Sequence, residues 1–242
     1  MLNVNTKKKL AEKWFEFLQM EICNEFENIE NKLKNKQKKF FRREWKKENI
    51  NEGGGVSCLL SNGNIFDKVG VNHSTVSGVF KKKYRSKILG AKKDGKYWAS
   101  GISVVAHMKN PKIPALHFNT RFIVTSKEWF GGGVDATPSH TDDKEKKIIH
   151  DDLKKVCLQN KKNYKRYKKW CDEYFYLPHR KEPRGIGGIF FDYEQKDWIK
   201  NFKFIRELGL TFLDISKKVI NRKKRLKWSK EDKNKQLIKR GR

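Results

Sequence analysis

The chain has 242 residues, and its 57 Lys and Arg outnumber its 28 Asp and Glu to give a formal net charge of +29. Sixteen Phe, seven Trp and seven Tyr supply a core and exclude a disordered chain. No apolar run reaches the length of about 18 residues that spans a bilayer, no apolar segment follows Met1, and Glu12, Glu16 and Glu21 sit where a transit peptide avoids acid. A cytoplasmic protein is therefore expected. The charge attracts polyanions in principle, but the lysines are dispersed along the chain and accompany much Asn and Ile, as a biased genomic composition produces. Cys23, Cys58, Cys157 and Cys171 lack Cys-x-x-Cys spacing and read as reduced packing thiols.

Residues 6–36 predict one amphipathic helix, with Leu10, Trp14, Phe17, Leu18, Ile22, Phe26, Ile29 and Leu33 at three- and four-residue spacing. Residues 37–49, with Phe40, Phe41 and Trp45, suit an edge strand or a helix extension. Gly53-Gly54-Gly55 is followed by no Gly-Lys-Ser/Thr, which argues against a phosphate loop. Val56–Leu60 and Ile65–Val71 flank Asn62-Gly63, the signal of a type I′ hairpin. Residues 74–78 lead into a loop, and Lys81–Lys96 form a second, basic one. Trp98–His107 predicts a strand carrying Ser103 and His107 on one face. Asn110-Pro111 and Pro114 turn the chain back into a strand over 115–124, which would pair with it and bring His107 towards His117.

Strict alternation in that return strand places His117, Asn119 and Arg121 on one face and Phe118, Thr120 and Phe122 on the other. The polar row offers a proton carrier, an amide and a fixed cation, though a half-solvated strand facing water has the same pattern. The Gly131-Gly132-Gly133 triplet predicts a tight turn, and Asp135 after it faces back towards that row. A helix over 142–158 has Thr141 as its cap and His150 beside its apolar stripe. A richer helix over 164–178 ends near Pro178-His179. Arg184 then opens a glycine-loosened strand buried on both faces. Helices follow over 195–208, closed by Gly209, and over 210–226, and Ser229 with Asp232 forms a capping box for a last one. The pattern is one α+β domain over 1–242, an antiparallel sheet covered by helices.

FNTRF after His117, WFGGGVDATP, YKKWCDEYFYLPHRKEPRGIGGIFFD and QLIKRGR, with GGGVSCLLSNGNIFDKVGVN and ASGISVVAHMKNP upstream, together resemble oxygen-dependent coproporphyrinogen III oxidases. The motifs lie in order from about residue 40 to the end. The resemblance implies a large, flat antiparallel sheet with helices on both faces, in a homodimer. It implies oxidative decarboxylation of two propionates of coproporphyrinogen III to vinyl groups, giving protoporphyrinogen IX, with molecular oxygen as co-substrate and no organic cofactor. It assigns proton donation to His117, contact with the pyrrole N–H groups to Asp135, and substrate binding to Ser103, Asn119, Thr120 and Arg121, with Arg184 as a propionate clamp. It also implies a divalent-metal site of His107, His117, His150 and His179.

The residue types suit that chemistry. Guanidinium groups bind carboxylates bidentately. A buried carboxylate accepts pyrrole N–H groups and favours an electron-rich deprotonated pyrrole that reacts with oxygen directly. Histidine as a residue type moves protons near neutral pH. Against the family pattern, Asn72-His73-Ser74 replaces Asn-Phe-Ser, a single Trp129 precedes Phe130, and the sequence stops at Arg242, before the Tyr-Val-Glu-Phe-Asn-Leu strand and the Gly-Gly-Arg substrate contact. An inactive porphyrinogen-binding remnant and a basic nucleic-acid-binding protein are the alternatives. The dispersed lysines disfavour the latter, so coproporphyrinogen III, not nucleic acid, is the expected partner, with no integral membrane segment.

Overall fold

The computed structural model describes residues 2–32 and 37–240. In chain order the elements are α1 (Val4–Asn31), β1 (Phe41–Lys46), β2 (Gly53–Ser61), β3 (Phe66–Val79), α2 (Lys82–Arg85), β4 (Lys96–Met108), β5 (Ala115–Val124) and β6 (Glu128–Thr137). There follow α3 (Asp143–Gln159), α4 (Tyr164–Tyr174), the two-residue β7 (Tyr176–Leu177) and β8 (Glu182–Pro183), β9 (Gly187–Glu194), α5 (Trp198–Lys223) and α6 (Lys230–Arg240). Seven strands make one antiparallel sheet in the order β1-β2-β3-β4-β5-β6-β9. This is the expected α+β class. Among the described residues no helix is long and apolar enough to cross a membrane.

The period of two in β5 sets the layers. Leu116, Phe118, Thr120, Phe122 and Val124 are buried, while the residues between them are only partly covered. Phe118 stacks on Phe212 of α5 at 4.9 Å, and Phe122 meets Trp198 of the same helix edge-on. Helix α1 continues this layer across β3 and β4, with Phe26 stacked on Phe66 at 4.8 Å. Its Gln19 amide donates to the Val56 and Val71 carbonyls at 2.8 Å each, tying the helix to the sheet backbone. Burying side chains of this size contributes on the order of 1.5–3 kcal/mol each. The opposite face carries His117, Asn119 and Arg121. There α4 wraps the β9 edge and α6 runs past the end of β4, and the middle stays open.

Several expectations change. Helix α1 ends at Asn31, so Leu33 of the expected stripe lies outside the described residues. Leu10 and Phe17 are exposed, and Ala11, Phe15 and Cys23 take buried places. The hairpin between β2 and β3 is not a two-residue type I′ turn: Asn62 alone is left-handed, at φ 53°, and Gly63 is not. The Glu30 carboxylate organises this loop by accepting from the Asn64, Ile65 and Phe66 N–H groups. Residues 74–78 belong to β3, and Lys82–Arg85 form a short helix within the basic loop. Gly131–Gly133 lie inside β6, where a Cβ at Gly132 would overlap the Asn119 carbonyl. The triplet serves close packing within the sheet, not a turn. Asp142, not Thr141, caps α3. Gly209 does not end a helix: α5 passes through it, because a Cβ there would lie 2.6 Å from Leu18 of α1. The Ser229–Asp232 capping box forms as expected.

Candidate active site on the open face of the sheet

Cross-strand register assembles the site. Ser103 of β4 is opposite Asn119, and Gly133 of β6 is opposite Asn119 on its other side. His117 is opposite Asp135, and Arg121 is opposite Gly131. Opposed residues share a face, so Ser103, His117, Asn119, Arg121 and Asp135 line one cleft with Tyr174, Phe175, Arg184 and Phe190. Glycines at 101, 131, 133 and 188 fall on this same face by alternation and keep its floor flat.

Asp135 is its centre, 3% exposed. Arg184 Nη2 donates to both carboxylate oxygens, at 3.0 and 2.9 Å. His117 Nδ1 lies 3.1 Å from Oδ2. An ionised carboxylate only accepts, so Nδ1 carries the hydrogen and Nε2 keeps the lone pair that can take a proton. Oδ2 thus accepts twice and Oδ1 once. Of the carboxylate's roughly four lone-pair positions, one remains for an incoming N–H, rather than the several expected. Arg184 is fixed further by stacking: its guanidinium carbon sits 3.8 Å from the Phe175 ring centre. Phe190 of β9 packs face to face on Tyr174 at 4.1 Å. Together these rings form an apolar wall beside the charges.

Arg121 sits across the cleft, its Nη1 3.2 Å from Asn119 Oδ1 and its Nη2 2.7 Å from Asp192 Oδ2. Asp192 also accepts from Trp129 Nε1 at 3.1 Å. The sequence reading missed Asp192 and the aromatic wall. Asp192 is two residues from Phe190 in β9 and so shares its face, but which carboxylate meets Arg121 depends on a pairing between β6 and β9 that local pattern does not encode. Thr120 is a correction: it is fully buried on the core face, because alternation turns it away from its two polar neighbours.

The four histidines do not form one ligand set. His107 and His117 are neighbours, ring centres 6.1 Å apart, as the strand pairing predicted. His150 has both nitrogens engaged, Nδ1 by the Tyr164 hydroxyl at 2.8 Å and Nε2 by the Ile186 carbonyl at 2.9 Å. His179 is exposed on the turn between β7 and β8. Among the described residues no three His, Cys, Asp or Glu side chains are placed to hold a metal. The donor set therefore does not fit the implied ion. Burial, then Arg240 and His117, push His107 down to about 4, so its ring is neutral at physiological pH.

The family model for coproporphyrinogen III oxidase matches residues 10–242. The oxygen-dependent coproporphyrinogen-III oxidase of Rickettsia akari (strain Hartford) is 46% identical over 241 residues, covering 97% of this chain and 85% of the relative. That of Rickettsia typhi (strain ATCC VR-144 / Wilmington) is 47% identical over 247 residues, covering 99% and 87%. The chain belongs to the coproporphyrinogen III oxidase family. The cleft has Arg121 and Arg184 at two sides, the buried Asp135 carboxylate between them, and His117 hydrogen-bonded to it.

Proposed function

We propose that this chain is an oxygen-dependent coproporphyrinogen III oxidase of haem biosynthesis, converting two propionates of coproporphyrinogen III to vinyl groups to give protoporphyrinogen IX. One observation supports this most: Asp135, His117, Arg184 and Arg121 converge on a flat open face in a chain nearly half identical to such oxidases. Each propionate loses carbon dioxide, a proton and two electrons, and oxygen accepts the electrons. No protein group needs to change oxidation state. Arg121 holds the reacting carboxylate. Asp135 offers its free lone pair to a pyrrole N–H and raises the electron density of that ring. His117 takes up or returns the proton at Nε2, held in one tautomer by Asp135. Ser103 and Asn119 supply further hydrogen bonds along the row.

Residues 1–242 act as one catalytic domain in the cytoplasm. Phe41 and Trp45 on the β1 edge, with Leu59 beside them, are exposed apolar groups that favour the homodimer the family resemblance implies; sedimentation equilibrium tests it. The functional test is incubation of the purified chain with coproporphyrinogen III with and without oxygen, with the products oxidised, separated and read by porphyrin fluorescence. Oxygen-dependent protoporphyrin is the expected result. Unchanged substrate in both arms refutes the reading.

A further inference from the structure

A second cavity of about 220 Å³ opens beside the cleft, sharing His117 and Arg184 with it. It lies between the end of β4, the start of β5, Thr137 at the end of β6 with Ser139 beyond it, and the last turns of α6. Its walls carry three cations, Arg184, Lys239 and Arg240, and no carboxylate. Asp67 holds Arg240 at 2.6 Å and Glu182 approaches Lys239 at 3.5 Å, both from outside the lining. Three buried polar atoms of the lining residues have no hydrogen-bond partner among the described residues: His107 Nδ1, Thr137 Oγ1 and Arg184 Nε. Buried donors without partners cost free energy unless a ligand or water satisfies them. Arg184 Nε–H is a donor in every state, and the Thr137 hydroxyl can donate as well.

We propose that this cavity is a carboxylate subsite, which takes one propionate arm of the tetrapyrrole while the arm undergoing decarboxylation lies against Arg121 and His117. This rests on the function proposed above and names a part of its substrate site. The cavity is small enough to suit a two-carbon carboxylate arm with bridging water. Arg184 then has two duties: Nη2 fixes Asp135 for the reacting ring, and Nε faces the anchored arm. Lys239 and Arg240 bring α6 into substrate binding.

Anaerobic equilibrium dialysis of coproporphyrinogen III tests the subsite without turnover, the bound fraction being oxidised and read by fluorescence. Lys239→Met is expected to weaken binding about tenfold, as loss of one charge-assisted contact does, and Lys239→Arg to restore it. For a porphyrinogen with only two propionates, the Met variant is expected to lose less. Thr137→Val, which removes the orphaned hydroxyl without adding bulk, is a second probe should Lys239→Met fail to fold. Wild-type affinity in a folded Lys239→Met or Thr137→Val variant overturns the subsite. A wild-type chain that binds through Lys239 yet makes no protoporphyrinogen in oxygen leaves the subsite standing and removes the proposed function.

Discussion

Arg121 of β5 and Asp192 of β9 form an ion pair at 2.7 Å across β6, with Gly131 between them. The pair fixes the guanidinium on the floor of the cleft. A Cβ at Gly131 would overlap the Asp192 carboxylate, so the glycine is what allows the two to meet. Removing Asp192 frees Arg121 to move without removing its charge. Asp192→Ala is expected to raise KM for coproporphyrinogen III about tenfold, with a smaller effect on kcat. Asp192→Asn, which keeps an acceptor for Trp129, falls between. Steady-state kinetics check this; a fall in kcat at unchanged KM contradicts a positioning role.

The aromatic wall makes a separate prediction. Tyr174 is 60% exposed and stacks on Phe190, so it contributes little to the core and much to the cleft. Tyr174→Ala is expected to leave the unfolding temperature nearly unchanged and to weaken porphyrinogen binding by roughly 0.5–1.5 kcal/mol, the worth of an aromatic contact. Anaerobic dialysis alongside thermal unfolding measures both.

Gly188 pairs with Asp135 across β6 and β9, and a Cβ there would overlap the Val134 carbonyl oxygen. Gly188→Ala is therefore expected to push β9 from β6, costing roughly 1–3 kcal/mol and disturbing Arg184 and Asp135 together. A lower thermal midpoint with lost activity is the expected pair of results, read by calorimetry and assay.

The strand row in β5, its pairing with β4 and the nearness of His107 to His117 were legible because alternation and one short turn determine them. The layer of α1 against the sheet was legible from its stripe, though not its register: Leu10 and Phe17 fit the spacing as well as Ala11 and Phe15 do. Gly131–Gly133 and Gly209 misled. Glycine read locally signals a turn or a helix end, yet here it answers to neighbours distant in sequence, Asn119 and Leu18. Asp192 entered the site through β9, and Arg184, named only through the resemblance, is placed by the segment just before it; the pairing of β9 with β6 crosses two intervening helices. That placement is a property of the fold, as is the separation of His150 and His179 from the other two histidines.

At the start of α3, Asp142 accepts from Arg222 at 2.7 Å, from Lys223 at 3.1 Å and from the Glu145 N–H at 3.0 Å. Burial opposes its ionisation, but these contacts prevail and hold its carboxyl well below the usual carboxylate range. A depressed folded-state value stabilises the fold above the ordinary carboxylate pKa of about 4 and is lost as pH falls below it. Glu145, raised chiefly by burial and in part by the Asp142 charge, acts in the opposite sense, and removing that charge relieves part of its shift. Asp142→Asn keeps a capping oxygen but not the charge. It is expected to lower stability at neutral pH and to flatten the acid limb between about pH 4 and 2. Urea unfolding at a series of pH values measures this.

The account rests on Asp135, which joins His117 to Arg184. Asp135→Asn preserves shape and burial while removing the charge that fixes both partners. The most direct test is the rate of protoporphyrinogen formation by this variant in oxygen, set beside its anaerobic affinity for coproporphyrinogen III. A loss of turnover of about 10²–10⁴-fold, with binding changed far less, is the predicted result. Turnover close to that of the unsubstituted chain would contradict the claim that this carboxylate carries the reaction.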